Sequence, residues 1–175
     1  MGASVLIIGG RSGVGKTTVA WEVSAQLQRR DVAHCFIEGD FLDQAFPAPP
    51  GDPGRTELTR RNLRSLWANY TDLGYRRLIY TNSYSVLETD LIVDAMGGAV
   101  EVSAVLLTAS DSTARARLGE REIGSQLAAH LDRGARLAQK LAASAPPWVV
   151  RVPTDGRTVV RVAEDVLVAT GWTSP

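Results

Sequence analysis

Gly10-Arg-Ser-Gly-Val-Gly-Lys16-Thr17 combines residue types and a spacing that suit one chemistry, the holding of phosphate groups. Its glycines let the backbone curl with N–H groups turned inward on phosphate oxygens. The ammonium of Lys16 can reach β- and γ-phosphates, and the Thr17 hydroxyl can ligate Mg²⁺. The segment Ser4-Val-Leu-Ile-Ile-Gly-Gly10 before the loop reads as an apolar strand, and the segment from Lys16 onward reads as a helix. The positive end of that helix then faces the same anion. Arg11, Ser12, Gly13, Val14, Gly15, Lys16, Thr17 and Thr18 are therefore expected to bind nucleotide phosphates.

A second chemical cluster comes after the next apolar run, where Ala33-His-Cys-Phe-Ile37 ends in Glu38-Gly39-Asp40. In open parallel α/β sheets, ligands sit beyond the carboxyl ends of the strands, which puts Asp40 near the phosphate loop. Asp40 can accept a proton from a substrate hydroxyl or hold Mg²⁺ through water. The competing use is to cap the segment Phe41–Gln44. Glu38 carries less, because a carboxylate at a strand end can simply be solvated.

These groups need elements to position them. Five short apolar runs, Val5–Ile8, Ala33–Ile37, Arg77–Tyr80, Val102–Leu107 and Val149–Val152, alternate with helical segments. That alternation predicts a parallel sheet covered by helices. Helices are expected over Lys16–Arg30, Glu57–Asp72, Glu88–Met96 and Thr158–Thr170. Thr113–Leu141 reads as a long helical region broken near Ile123-Gly124-Ser125. Phe46-Pro-Ala-Pro-Pro-Gly-Asp-Pro-Gly54 has no periodicity and reads as an exposed, semi-extended loop. Trp67 and Tyr70 are expected in the core or a pocket wall. His34 and Cys35, adjacent on a strand, point to opposite faces and form no dyad.

A length of 175 residues suits one domain with a substantial core. A formal net charge of zero gives no bulk attraction to nucleic acid or to a membrane surface. Of 19 basic residues only Lys16 and Lys140 are lysines, so the lysine of the glycine-rich loop stands out. The single cysteine, Cys35, excludes an intramolecular disulfide and suits a reducing compartment. The N-terminal apolar run passes into the loop too soon for a signal peptide, and a cytoplasmic protein is expected.

Taken together, Gly10–Thr18, the acidic pair Glu38 and Asp40, the Arg115-Ala-Arg117…Arg121-Glu122 region and Val152-Pro-Thr-Asp-Gly-Arg-Thr158 carry a resemblance. The chain resembles small P-loop kinases of the nucleoside monophosphate kinase type, with a full Walker A motif. Within that group it looks most like shikimate, gluconate and adenylylsulfate kinases and the antibiotic phosphotransferases. The resemblance implies a P-loop NTPase three-layer α/β sandwich with a five-stranded parallel sheet, and a helical lid over residues 113–141. It implies Asp40 at the acceptor or the metal, and lid arginines Arg117 and Arg121 over the phosphates with Arg115 behind them. Thr154, Asp155, Gly156 and Arg157 would pack against the adenine. Arg55, Arg60, Arg61 and Arg64 flank the proline loop and the helix that would form the acceptor-binding domain, where at least one is expected to meet the acceptor and any one can instead belong to a solvated helix face. In one respect the chain departs from many P-loop proteins: the third strand ends in Thr81-Asn82-Ser83, without the Walker B carboxylate. Metal ligation is then expected to rest on Thr17 and Asp40.

The resulting expectation is transfer of the γ-phosphoryl group of ATP, with Mg²⁺, to an unidentified small-molecule acceptor. Neither nucleic acid nor membrane is expected as a partner, and the chain would be a monomer or homodimer. Two other readings remain: a nucleotide-binding ATPase or regulatory module without such an acceptor, and a nucleotide kinase. A fixed pocket beside Asp40 favours the kinase, and an exposed apolar patch around Pro47–Pro53 favours the module.

Overall fold

In the computed structural model, β1 (Ala3–Gly9) is apolar from Val5 to Ile8, and all four of those side chains are fully buried. A strand covered on both faces requires such a continuous run instead of alternation. The structure describes residues 2–121 and 127–173, without the side chains at 121 and 127–130. Among these residues, β2 (Cys35–Glu38), β3 (Arg77–Thr81), β4 (Val100–Thr108) and β5 (Val150–Pro153) join β1 in one parallel sheet. The strand order is β2-β3-β1-β4-β5. The loop after β1 therefore leaves the sheet at its centre, between β3 and β4.

The described helices are α1 (Lys16–Gln28), α2 (Thr56–Asp72), α3 (Thr89–Ala95), α4 (Asp111–Arg121), α5 (Leu127–Ser144) and α6 (Val159–Thr170). One sheet face is covered by α1 and α6, whose Val19, Val23, Leu27, Val162 and Val166 meet Leu6, Ile8 and Ile79. The other face is covered by α2, α3 and α5 through Leu63, Trp67, Ile92, Leu137 and Leu141. These are three layers, the architecture expected from the alternation of strands and helices. Burying a large apolar side chain contributes about 1.5–3 kcal/mol. The surface pairs of Arg60 and Arg64 with Asp94, 3.1 and 3.0 Å, add about 0–1 kcal/mol each and chiefly align α2 on α3.

Two boundaries differ from expectation with consequences for the site. The second strand begins at Cys35 and includes Glu38, so this carboxylate takes the alternating orientation of the strand. The long helical region divides into α4 and α5, and the break expected near residues 123–125 lies outside the described residues. No helix among the described residues is long and apolar enough to cross a membrane.

Candidate active site

Gly15 precedes α1 in a left-handed conformation, φ 93°, and no side chain caps the helix. The first turn of α1 also carries no acidic residue, so the turn itself supplies no anion to its positive dipole end. Gly13 is required sterically as well as conformationally. A Cβ there would lie 2.5 Å from the Ala114 carbonyl oxygen, which lets α4 pack directly on the loop. Lys16 is 8% exposed, and its Nζ donates to the Arg11 carbonyl at 3.5 Å.

This loop forms one wall of a cleft of about 330 Å³. Ser12, Gly13, Val14, Gly15, Lys16, Thr17 and Thr18 line it together with Asp40, Arg117, Thr154 and Arg157. The Asp40 carboxylate accepts a hydrogen bond of 2.9 Å from Asn82 Nδ2. The short turn Gly39–Phe41 has no side-chain cap at its N-terminus. A Cβ on Gly39 would run into the Tyr80 ring, which fixes the sharp departure of the chain between Glu38 and Asp40. The Tyr80 phenol is itself pushed up in pKa, first by burial and then by Glu88, Asp40, Asp43 and Glu38, and stays protonated.

Glu38 is not a solvated strand-end carboxylate. Its Oε2 accepts from Thr17 Oγ1 at 2.6 Å, a short charge-assisted bond. Glu38 and Thr81 are partners in the β2–β3 register. Glu38 Oε1 and Thr81 Oγ1 are both buried without a hydrogen-bond partner among the described residues. Two orphaned oxygens on register partners, one of them on the carboxylate that binds the Thr17 hydroxyl, are the donor chemistry a hard divalent cation prefers. No group of three or more His, Cys, Asp or Glu forms a metal cage among the described residues. Such a site therefore suits Mg²⁺ shared with phosphate oxygens and water, the usual habit of that ion.

Arg117 is braced within the cleft. Its guanidinium donates to the Val14 carbonyl at 3.3 Å, the Thr154 hydroxyl at 3.0 Å and the Thr154 carbonyl at 3.1 Å. The helix carrying it is packed, with Ala114 and Leu118 buried. Arg157 also lines the cleft, tied to Asp165 and to the Pro153 carbonyl.

Other expected residues lie elsewhere. Arg115 is exposed and does not line the cleft. Asp155 accepts from the Ser110 amide and hydroxyl, the latter at 2.7 Å, and so tethers the approach to α4. Hydrogen bonds from Thr113 and then Ser110 hold its carboxyl below the usual range. Gly156 comes next in a left-handed conformation, φ 63°, outside the cleft lining. The Arg121 side chain lies outside the described residues. The Arg11 side chain leaves the cleft, is 4% exposed and pairs with Asp111.

Of the groups brought together here, Asn82 carried no expected role in the sequence, and Glu38 carried less weight than Asp40. The signal for Glu38 was the register of an edge strand, which one residue of displacement alters. For Asn82 the only signal was its place just beyond β3.

No family model and no curated protein matches this sequence. Solved structures do. A gluconokinase from Sinorhizobium meliloti is similar with a TM-score of 0.64 at 17% identity, over 98% of this chain and 93% of that one. A tunicamycin resistance protein from Deinococcus radiodurans gives a TM-score of 0.65 at 20% identity, over 99% of both chains. The Mycobacterium tuberculosis APS kinase, solved with AMPPNP and APS, gives 0.58 at 21% identity over 95% of this chain and 96% of that one. The fold is that of the P-loop kinases.

Proposed function

We propose that this protein is an ATP-dependent phosphotransferase that moves the γ-phosphoryl group to a hydroxyl of a small-molecule acceptor. The observation that carries this reading is Asp40, a carboxylate oriented by Asn82 in the same cleft as the phosphate loop. A carboxylate held there can accept the proton of an acceptor hydroxyl.

In this mechanism the loop amides and the α1 N-terminus hold the phosphates, and Lys16 neutralises charge on the transferring group. Thr17 and Glu38 would hold Mg²⁺, with Thr81 next to Glu38 in the strand register, and the ion would supply charge neutralisation. Asp40 takes the acceptor's proton as its oxygen bonds to the γ-phosphorus and the bond to ADP breaks. Arg117, braced by Val14 and Thr154, presents positive charge without needing to reorganise.

A nucleotide kinase would need a basic acceptor pocket, and three of the four arginines expected there are engaged. Arg60 pairs with Glu57 and Asp94, Arg64 with Asp94, and Arg55 bonds the Ala45 carbonyl. The binding-module reading draws on Phe41 and Phe46, 76% and 96% exposed next to Asp40 and the proline loop. Thermal-shift measurement with an ATP analogue, Mg²⁺ and a panel of hydroxylated acceptors separates the readings, because a ligand of the native state raises apparent stability. With an acceptor so found, Asp40→Asn is expected to lower turnover about 10²–10⁴-fold with little change in ATP affinity. Unchanged turnover in that variant removes the base.

A further inference from the structure

The sheet ends in two strands, β2 and β5, and only β5 is defended against a further strand. It carries the exposed Arg151, which donates to the Ala142 carbonyl at 3.2 Å, and it closes on Pro153, which has no N–H to offer a neighbour. β2 has neither device. Its residues are Cys35-Phe36-Ile37-Glu38, and the one charge among them turns inward to Thr17. A bare row of backbone donors and acceptors is a template for another strand. A groove of about 580 Å³ opens along the approach to this edge, lined by residues 31–36 and by side chains of α1 and the end of α2. On the α1 side Trp21, 61% exposed, stands edge-on to Phe36 with ring centroids 4.8 Å apart. On the α2 side Tyr70 and Tyr75 form a second edge-on pair at 5.9 Å. Phe36 packs on the core of one sheet face and Tyr70 on the core of the other, so aromatic pairs flank the open edge on both faces.

We propose that this edge is a homodimer interface, in which β2 pairs antiparallel with β2 of a second copy about a two-fold axis between Phe36 and Ile37. A two-fold contact requires a self-complementary patch. The axis brings each aromatic pair against its own copy, Trp21 and Phe36 on one face of the joined sheet and the tyrosines on the other. Charge favours the same arrangement. The entry to β2 carries Arg29, paired with Glu22, and Arg30, which is exposed and in no ion pair among the described residues; its exit carries Asp40 and Asp43. Antiparallel pairing lays the Arg30 end of each strand on the Asp43 end of the other. Asp31, the one charged residue of the groove, stays roughly 30 Å from its copy at about 3.3 Å per residue on either side of the axis. A standard interface takes roughly 800 Å² from each partner, and the four rings at their present exposure supply on the order of 300 Å² of it. The strand edge, Gln28, Ala33 and the exposed Leu73 at the end of α2 bring the patch to that scale. Association would also restrain the strand that carries Glu38 to Thr17.

The test uses the full chain without nucleotide, so it stands whether or not the phosphotransferase reading does. Sedimentation velocity from micromolar to millimolar protein is expected to show a monomer–dimer equilibrium. Hydrogen exchange over the same range should show protection gained with concentration at Cys35–Glu38. Trp21→Glu removes an aromatic anchor, and Ala33→Lys, at an exposed position, installs on β2 the kind of edge charge that β5 already carries. Each variant, shown to be folded by circular dichroism, should dimerise about tenfold or more weakly. A monomer throughout the range, an undiminished dimer in both folded variants, or concentration-dependent protection at Val150–Pro153 in place of β2 each overturns the proposal.

Discussion

Removing the Arg117 side chain is expected to destabilise the protein itself, before any question of catalysis. Its guanidinium makes three hydrogen bonds, two of them to Thr154, a residue 3% exposed, and one to the Val14 carbonyl at 3.3 Å. Hydrogen bonds to a charged group are worth about 1.5–3 kcal/mol each, but bonds sharing one guanidinium do not add. The Val14 bond is long and the arginine is half-buried, which lowers the sum further. Against this, Arg117→Ala strands the Thr154 carbonyl and hydroxyl away from water. The balance is a loss of about 2–4 kcal/mol, or roughly 4–16 °C in Tm for a domain of this size. Urea unfolding followed by circular dichroism, with no nucleotide present, measures it. Arg117→Lys should recover only part, because an ammonium cannot serve acceptors spread across a planar fork. A loss within about 0.5 kcal/mol, the usual range of a surface substitution, would refute the brace. Arg117 would then be the mobile lid arginine that its place in the sequence suggests.

Glu38→Gln keeps an oxygen for Thr17 but removes the charge, so apo stability should hold while Mg²⁺-dependent ATP affinity falls about 10–100-fold in calorimetry. Equal affinity with and without the substitution would exclude Glu38 from the metal's surroundings. Cys35, 6% exposed and with its thiol pushed up to about 12 by burial, should resist a disulfide reagent at pH 8 and react readily in urea. Fast native labelling would contradict the packing of β2. Asp155 has a folded pKa below its unfolded value near 3.8, so its contribution is present above that pH and lost as pH falls through the folded value. The stability gap between wild type and Asp155→Asn should therefore be constant from neutral pH down to about pH 5 and close in stronger acid. A gap that persists at low pH would mean that something other than the carboxylate's charge is at work.

The parts of the fold legible in the sequence are those specified locally. β1, the phosphate loop and α1 form one uninterrupted run whose apolar, glycine and helical patterns all agree, and Lys16, Thr17 and Val14 occupy the expected cleft. Asp40 was legible because strand ends in parallel sheets share one edge. The features that escaped depend on direction or on partners distant in sequence. Arg11 belongs to the motif by spacing, yet its side chain is claimed by Asp111, 100 residues away, and by the space at Gly134. Arg60 and Arg64 read as available charges on α2 until α3 brings Asp94 against them. No periodicity encodes such pairings.

The missing carboxylate on the third strand has a structural answer in this register. Neighbouring strands lie about 4.8 Å apart, and partnered residues on parallel strands point to the same face. A carboxylate at Glu38 on β2 is therefore one strand removed from Thr81, where a Walker B aspartate would stand, and it still reaches Thr17 at 2.6 Å. Moving the carboxylate outward frees the end of β3 for neutral groups, and Asn82 uses that freedom to bond Asp40. A second carboxylate at position 81 would stand against Glu38 in a buried space, and two like charges there would raise one pKa and neutralise one partner. Threonine avoids that conflict. The acidic pair after β2 thus points two ways within three residues: Glu38 turns to the loop hydroxyl, and Asp40 turns to Asn82 in the cleft, where the proposed function would have it meet the acceptor. Gly39 between them makes the separation sterically feasible, because a side chain there would collide with Tyr80.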